Sequence, residues 1–175
     1  MQDFSDRIRL LQATPLFAEV GPPHIEAVAE ALRLERFAAG KTILRHGDAG
    51  EALYLIVSGT VSVFVRSEDF GVSLQIAKLG PGQHFGEMSL LTGEPRSATI
   101  RAEGDCEVLV ISKKVMAEVL RASLQCLTQL SELLAKRRLE GDNIVKGAIV
   151  PDDLGKKERE YRASFLDRLR TVFEL

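Results

Sequence analysis

The sequence predicts an α+β protein, mainly β, in which an antiparallel sandwich or barrel carries helices at both ends. Two observations point there. Apolar residues recur at helical spacing up to about residue 36 and again after Ser112, but at a period of two between about 37 and 111. The middle block is also punctuated by glycine at 40, 47, 50, 59, 71, 80, 82, 86, 93 and 104, as expected of short strands joined by turns and not by crossover helices.

In chain order, Ile8, Leu11, Leu16 and Phe17 form a first apolar cluster, interrupted at Thr14-Pro15. Pro22-Pro23 is well placed to open a helix carrying Ile25, Val28, Ala29 and Leu32. Val61, Val63 and Val65 alternate with Ser62, Phe64 and Arg66, and Leu74, Ile76, Val108 and Val110 continue the strand pattern. Ser58-Gly59 reads as a tight hairpin, because glycine adopts positive φ at little cost. Ser112 is a candidate N-cap for a short helix with Val115, Val119 and Leu120. Leu127, Leu130 and Leu134 mark a longer helix ending near Gly141, and residues 142–155, with Gly147, Pro151 and Gly155, read as a linker or surface loop. A last amphipathic helix sets Tyr161, Phe165, Leu169, Val172 and Phe173 on one face, which should pack onto the domain. The 175 residues therefore divide into a helical connector (1–13), one domain (14–141) and a linker with a terminal helix (142–175).

Composition narrows the function. With 23 Lys+Arg against 25 Asp+Glu, the net charge of −2 does not suit a protein built to hold a nucleic acid backbone. No apolar run approaches the roughly 20 residues of a membrane-spanning helix, and the N-terminus lacks a secretory core, so a cytoplasmic chain is expected. Cys106 and Cys126 are expected to be reduced, buried thiols. Gly40-Lys41-Thr42 resembles the end of a phosphate loop, but Glu35 stands where its leading glycine belongs. His24, His46 and His84 lack metal-ligand spacing, and no Gly-x-Ser-x-Gly elbow occurs. No catalytic residue, metal or cofactor is expected.

The informative stretch runs from Phe85 to Ala102. Gly86, Glu87, Met88 and Ser89 open a short helical turn whose N–H groups can face an anion. Arg96, just past a Thr-Gly-Glu-Pro turn, offers a forked donor to the same anion, and Ser97 adds a hydroxyl. Such an ion pair at about 4 Å is worth roughly 4 kcal/mol before desolvation. Glu87 would repel a phosphate but can accept from a ribose 2′-OH. These residues would hold an anion and a hydroxyl together on a barrel rim. They equally describe a surface turn in which Glu87 and Arg96 form an ordinary ion pair.

Read as a whole, Phe85-Gly86-Glu87 through Pro95-Arg96-Ser97-Ala98-Thr99 resembles the phosphate-binding cassette of the cyclic nucleotide-binding domain family. Leu53-Tyr54-Leu55-Ile56-Val57-Ser58-Gly59-Thr60-Val61 is similar to that family's upstream hairpin, Gly47 and Gly50 to the turn before it, and Pro15-Leu16-Phe17 to its leading helical turn. The resemblance implies an eight-stranded β-roll (jelly roll) with flanking helices that binds cAMP or cGMP without converting it. It places the ribose 2′-OH on Glu87, and the cyclic phosphate on Arg96, Ser97 and the cassette backbone around Gly86, Met88, Ser89 and Ala98. The helix from about 123 to 140 would act as a lid, with Leu130, Leu133 and Leu134 over the base and Arg137 reaching the purine. A solvated helix end explains Arg137 as well. Val61, Val63, Leu74, Ile76 and Leu134 would form the pocket wall, although core packing accounts for the strand residues equally.

The segments GEMSLLTGEPRSAT, AKRRLE and SFLDRLRTVFEL further resemble cytoplasmic C-terminal domains of bacterial channels of the small-conductance mechanosensitive type. That resemblance implies a pore domain in a longer parent chain, at the cytoplasmic face of the inner membrane, without nucleic acid or direct membrane insertion. A homo-oligomer is the outcome if the terminal helix self-associates instead of packing on the domain. A stand-alone cytosolic cAMP-binding regulator is the alternative. A transcription regulator lacking its DNA-binding part is a more distant one.

Overall fold

The computed structural model describes residues 3–18, 20–66, 72–146 and 151–174. Helix α1 (Phe4–Ala13), a 3₁₀ turn (Pro15–Phe17) and α2 (Pro22–Ala31) lead into strands β1 (Arg33–Phe37), β2 (Thr42–Leu44), β3 (Ala52–Ser58), β4 (Val61–Arg66), β5 (Ser73–Leu79) and β6 (His84–Phe85). Helix α3 (Glu87–Thr92) follows, then β7 (Thr99–Ala102), β8 (Cys106–Ser112), α4 (Lys113–Ala122), α5 (Leu124–Lys146) and α6 (Pro151–Phe173). The eight strands form two four-stranded antiparallel sheets, ordered β1-β8-β3-β6 and β2-β7-β4-β5.

Period-two alternation gives the first sheet two apolar faces. Leu53, Leu55, Leu109 and Ile111 face the helices, whereas Ile56, Phe85, Val108 and Val110 meet Val61, Ile100 and Ala102 of the second sheet inside the roll. The helical layer seals the outer face with Phe17, Ile25, Met116, Leu130 and Leu134. Ser112 caps α4 as expected, its Oγ accepting from the Val115 amide at 3.4 Å. Among the described residues, no helix is long and apolar enough to cross a membrane.

Four sequence expectations are corrected. Residues 33–36, read as helical, belong to β1, because pairing of Arg33–Phe37 with β8 exploits the alternation that begins at Leu32. The Ser58-Gly59 turn is tight, with Gly59 at φ 85°, but it is not a hairpin: β3 pairs with β6 and β8, while β4 pairs with β5 and β7. The chain changes sheets there, and a Cβ on Gly59 would lie 2.4 Å from the Asp105 carbonyl oxygen. The valine alternation of β4 is broken by a register shift between Val63 and Phe64. Ser62 is buried as well as Val61, its hydroxyl donating to Glu103 at 2.5 Å. Finally, most of the supposed linker is helical. Helix α5 continues through Gly141 to Lys146, and α6 begins at Pro151, where a missing N–H costs nothing. Residues 147–150 lie outside the described part.

The terminal helix packs as expected. Phe165, Leu169 and Phe173 are buried in the helical core, with Tyr161 and Val172 partly covered beside them.

Candidate functional site

The site is built where β6 ends. Pairing of β6 with β3 stacks Phe85 on Tyr54 with ring centroids 5.1 Å apart. Gly86 then turns the chain at φ 83°, and a Cβ there would meet Arg96 Nη1 at 2.9 Å and the Ala52 carbonyl oxygen at 3.0 Å. Only glycine combines that backbone with that approach. Helix α3 begins at the next residue and stops at Gly93, also left-handed at φ 72°. The chain returns through Pro95 to Arg96, whose amide donates to Asp48 O at 2.7 Å and whose carbonyl accepts from the Gly47 amide at 2.9 Å.

The Arg96 side chain is only 5% exposed. Its Nη1 donates to Gly86 O at 2.7 Å and to Ala52 O at 3.1 Å, and Nη2 donates to Ala52 O at 3.1 Å. These bonds use both Nη1 protons and one Nη2 proton, leaving the Nε–H, which has no partner, and the second Nη2–H. Both unused protons lie on one edge of the guanidinium, in the spacing that fits two oxygens of a phosphate. No carboxylate among the described residues pairs with Arg96. Burial lowers its pKa from the ordinary value, the sign of a cation that has given up water. Gly50 makes room for it: a Cβ there would lie 2.1 Å from both Cζ and Nε. The Tyr54 ring lies 5.8 Å from Cζ.

Glu87, 2% exposed, pairs with Arg137 of α5 and not with Arg96. Its Oε1 lies 2.5 Å from Arg137 Nη1, while Oε2 has no partner. Arg137 Nη2 also donates to His84 O at 2.9 Å, so one guanidinium joins α5 to both ends of the β6–α3 turn. The ordinary Glu87–Arg96 ion pair is thus not formed. His84, buried in β6, has its pKa lowered to about 4, chiefly by desolvation, with the Glu87 charge opposing and Arg137 assisting. It is therefore neutral near pH 7 and does not repel Arg137.

The other residues singled out by sequence are placed as follows. Ser89 is buried with an unpartnered hydroxyl, Met88 packs half-buried on the helical core, Ala98 half-buried against the roll interior, and Ser97 is exposed beside Arg96. On the predicted wall, Val61 is fully buried, Val63 and Ile76 are half-buried, and Leu74 is 37% exposed at the rim. Leu134 lies fully buried within the helical layer, with Leu130. A cleft of about 440 Å³ opens along the β1–β2 side, lined by Arg33, Arg45, Asp48, Gly50, Tyr54 and Arg96 among others. Glu87 is not among its lining residues. The contacts of Ala52 O, Gly50 and Tyr54 with Arg96 carry no direct signal in the sequence, although the Gly47–Gly50 turn and the Tyr54 motif mark their positions. Both cysteines are free and buried, and burial pushes Cys126 up to about 12. The described residues hold no His/Cys/Asp/Glu group arranged for a metal ion.

Residues 34–123 match a family described as "Cyclic nucleotide-binding domain". The chain is 36% identical over 129 residues to a cyclic nucleotide-gated potassium channel of Mesorhizobium japonicum, covering 68% of this chain and 34% of that one. It is also 36% identical over 132 residues to the cyclic AMP receptor protein of Thermus thermophilus, covering 75% and 61%. Among solved structures, the regulatory domain of Toxoplasma gondii PKA with cAMP is similar at 26% identity and a TM-score of 0.68, covering 78% of this chain and 50% of that one. The chain thus spans about a third of the first of these relatives and three-fifths of the second.

Proposed function

Because the chain belongs to the cyclic nucleotide-binding domain family, we propose that it is a cAMP-sensing regulatory module that binds its ligand at Arg96 and Glu87 and does not convert it. The observation that carries this is the buried Arg96, which forms no ion pair with a carboxylate, although the charges of Glu87 and Asp48 reach it. A buried cation without a paired anion is costly, and a cyclic phosphodiester, a monoanion, offsets that cost through the Nε/Nη2 edge left without partners. The ribose 2′-OH then donates to Glu87 Oε2, which it can do while Oε1 keeps Arg137. In this reading Arg137 orients the acceptor first and touches the base second. Ser97, exposed beside Arg96, supplies a hydroxyl to the phosphate, and the backbone of Gly86, Met88, Ser89 and Ala98 shapes the cassette. Leu74, Ile76, Val61 and Val63, on the neighbouring strands β5 and β4, form the apolar wall against the base, whereas Leu134 holds α5 in place from within the helical layer.

Ligand moves the lid only to the extent that it binds one lid position more tightly than another. The Arg137–Glu87 pair provides that difference, since Glu87 on the cassette grips both the ribose and α5. The channel relative supports reading the chain as the regulatory part of a longer, pore-bearing protein, with the pore domain as its partner. A self-contained cytosolic regulator is the alternative, and the receptor-protein relative supports it.

Calorimetric titration with cAMP, cGMP and 5′-AMP tests the proposal. We expect one cAMP site, weaker cGMP binding, and no binding of 5′-AMP, whose open dianionic monoester does not fit between Arg96 and Glu87. Absence of binding by both cyclic nucleotides overturns the reading.

A further inference from the structure

The terminal helix α6 lies outside the matched residues 34–123, yet it is packed directly on the elements that form the site. It contacts α3, which carries Glu87 and Ser89, and α5, which carries Arg137. Val172 sits against Gly93 at the end of α3, and Arg168 pairs with Glu94 in the turn leading to Arg96. On the lid side, Arg162 pairs with Glu132 of α5 at 3.3 Å. The helix end is fixed to α4, with Arg121 donating to Phe173 O at 3.1 Å and Lys113 Nζ 5.9 Å from the Phe173 ring centroid. Phe165, Leu169 and Phe173 bury their side chains in the core shared with Leu90 and Leu91 of α3.

Helix α3 has six residues, too few to hold a helix without cover. Helix α6 supplies part of that cover, and it bridges the cassette and the lid at positions remote from the Glu87–Arg137 contact. We propose that α6 is a strap whose docking, through Arg168 as a positioning residue, sets the cassette in its ligand-binding geometry. This rests on the ligand reading above. Binding and docking are then reciprocally linked: whatever factor docked α6 adds to cyclic nucleotide affinity, bound nucleotide adds to α6 docking.

The test uses the full chain. Arg168→Glu sets two carboxylates together at the cassette turn, and we expect cAMP affinity to fall about threefold to tenfold. The charge-swapped protein, Arg168→Glu with Glu94→Arg, should recover to within about twofold, which a general loss of packing would not do. In the wild type, saturating cAMP should slow hydrogen exchange of α6 amides by a factor similar to the affinity loss. If wild type binds cAMP but Arg168→Glu binds it equally well and α6 exchange is unchanged by ligand, the strap is overturned while the site stands. If wild type binds neither cyclic nucleotide, the ligand reading falls and the linkage with it.

Discussion

Replacing Arg96 by lysine should weaken cAMP binding by a hundredfold or more, about 3 kcal/mol, while the domain remains folded. The substitution keeps the positive charge, so it separates geometry from electrostatics. A lysine ammonium has three protons on one centre. It cannot satisfy Gly86 O and Ala52 O and still present a two-pronged edge to a phosphate, as the guanidinium does. Whichever partners it keeps, one set is lost. Calorimetry gives the affinity, and thermal unfolding of the free protein shows whether the fold has survived. An affinity within threefold of wild type would mean that Arg96 is a structural tie for the β3 and cassette carbonyls and does not hold the ligand.

Gly50→Ala should be the second largest loss, at least tenfold in cAMP affinity, with a modest fall in unfolding temperature. Gly50 is not in the left-handed region, so alanine adopts its backbone without strain. The added methyl would nevertheless stand 2.1 Å from Cζ and Nε of Arg96, and 2.6 Å from Nη2. The guanidinium must move, and the edge assigned to the phosphate moves with it. Because the guanidinium yields and not the backbone, the edge offered to the phosphate is lost, and stability falls only by the disturbed bonds to Gly86 O and Ala52 O. Gly86→Ala is a poorer probe, since its positive φ and the nearby Ala52 carbonyl damage the turn itself. Equal affinity for Gly50→Ala and wild type would show that Arg96 need not lie where the structure places it.

Much of this architecture was legible in the sequence because it is written in local periodicity. The two helical ends, the β block, the Ser112 cap and the buried face of α6 all follow from spacing within one element. What sequence reading mistook was non-local. Residues 33–36 carry an alternation, but the strand exists only through pairing with β8, more than 70 positions away in sequence. Glycine at 59 correctly signalled a tight turn, yet whether β3 and β4 pair or part is decided by β6, β7 and β8. Gly141 and Pro151 looked like breaks, but α5 runs past Gly141 and α6 starts on Pro151, a first-turn position that proline suits.

The same division holds at the site. Phe85 to Thr99 is contiguous, so the cassette could be read directly from the chain. Its electrostatic partners are not contiguous. Arg137, 50 positions after Glu87, pairs with that carboxylate, a contact that spacing along the chain does not announce. The carbonyl of Ala52, which holds Arg96, leaves no sequence signature, because every residue offers the same carbonyl.

The central claim is that the Nε/Nη2 edge of Arg96 receives the cyclic phosphate. It is tested most directly by following the ¹H–¹⁵N signal of the Arg96 Nε–H during titration with cAMP, assigned by its disappearance in the Arg96→Lys protein. A new charge-assisted hydrogen bond should shift that signal downfield and slow its exchange with solvent, saturating at one cAMP per chain. If cAMP binds and the Arg96 Nε–H signal neither shifts nor gains protection, the phosphate lies elsewhere and the account is contradicted.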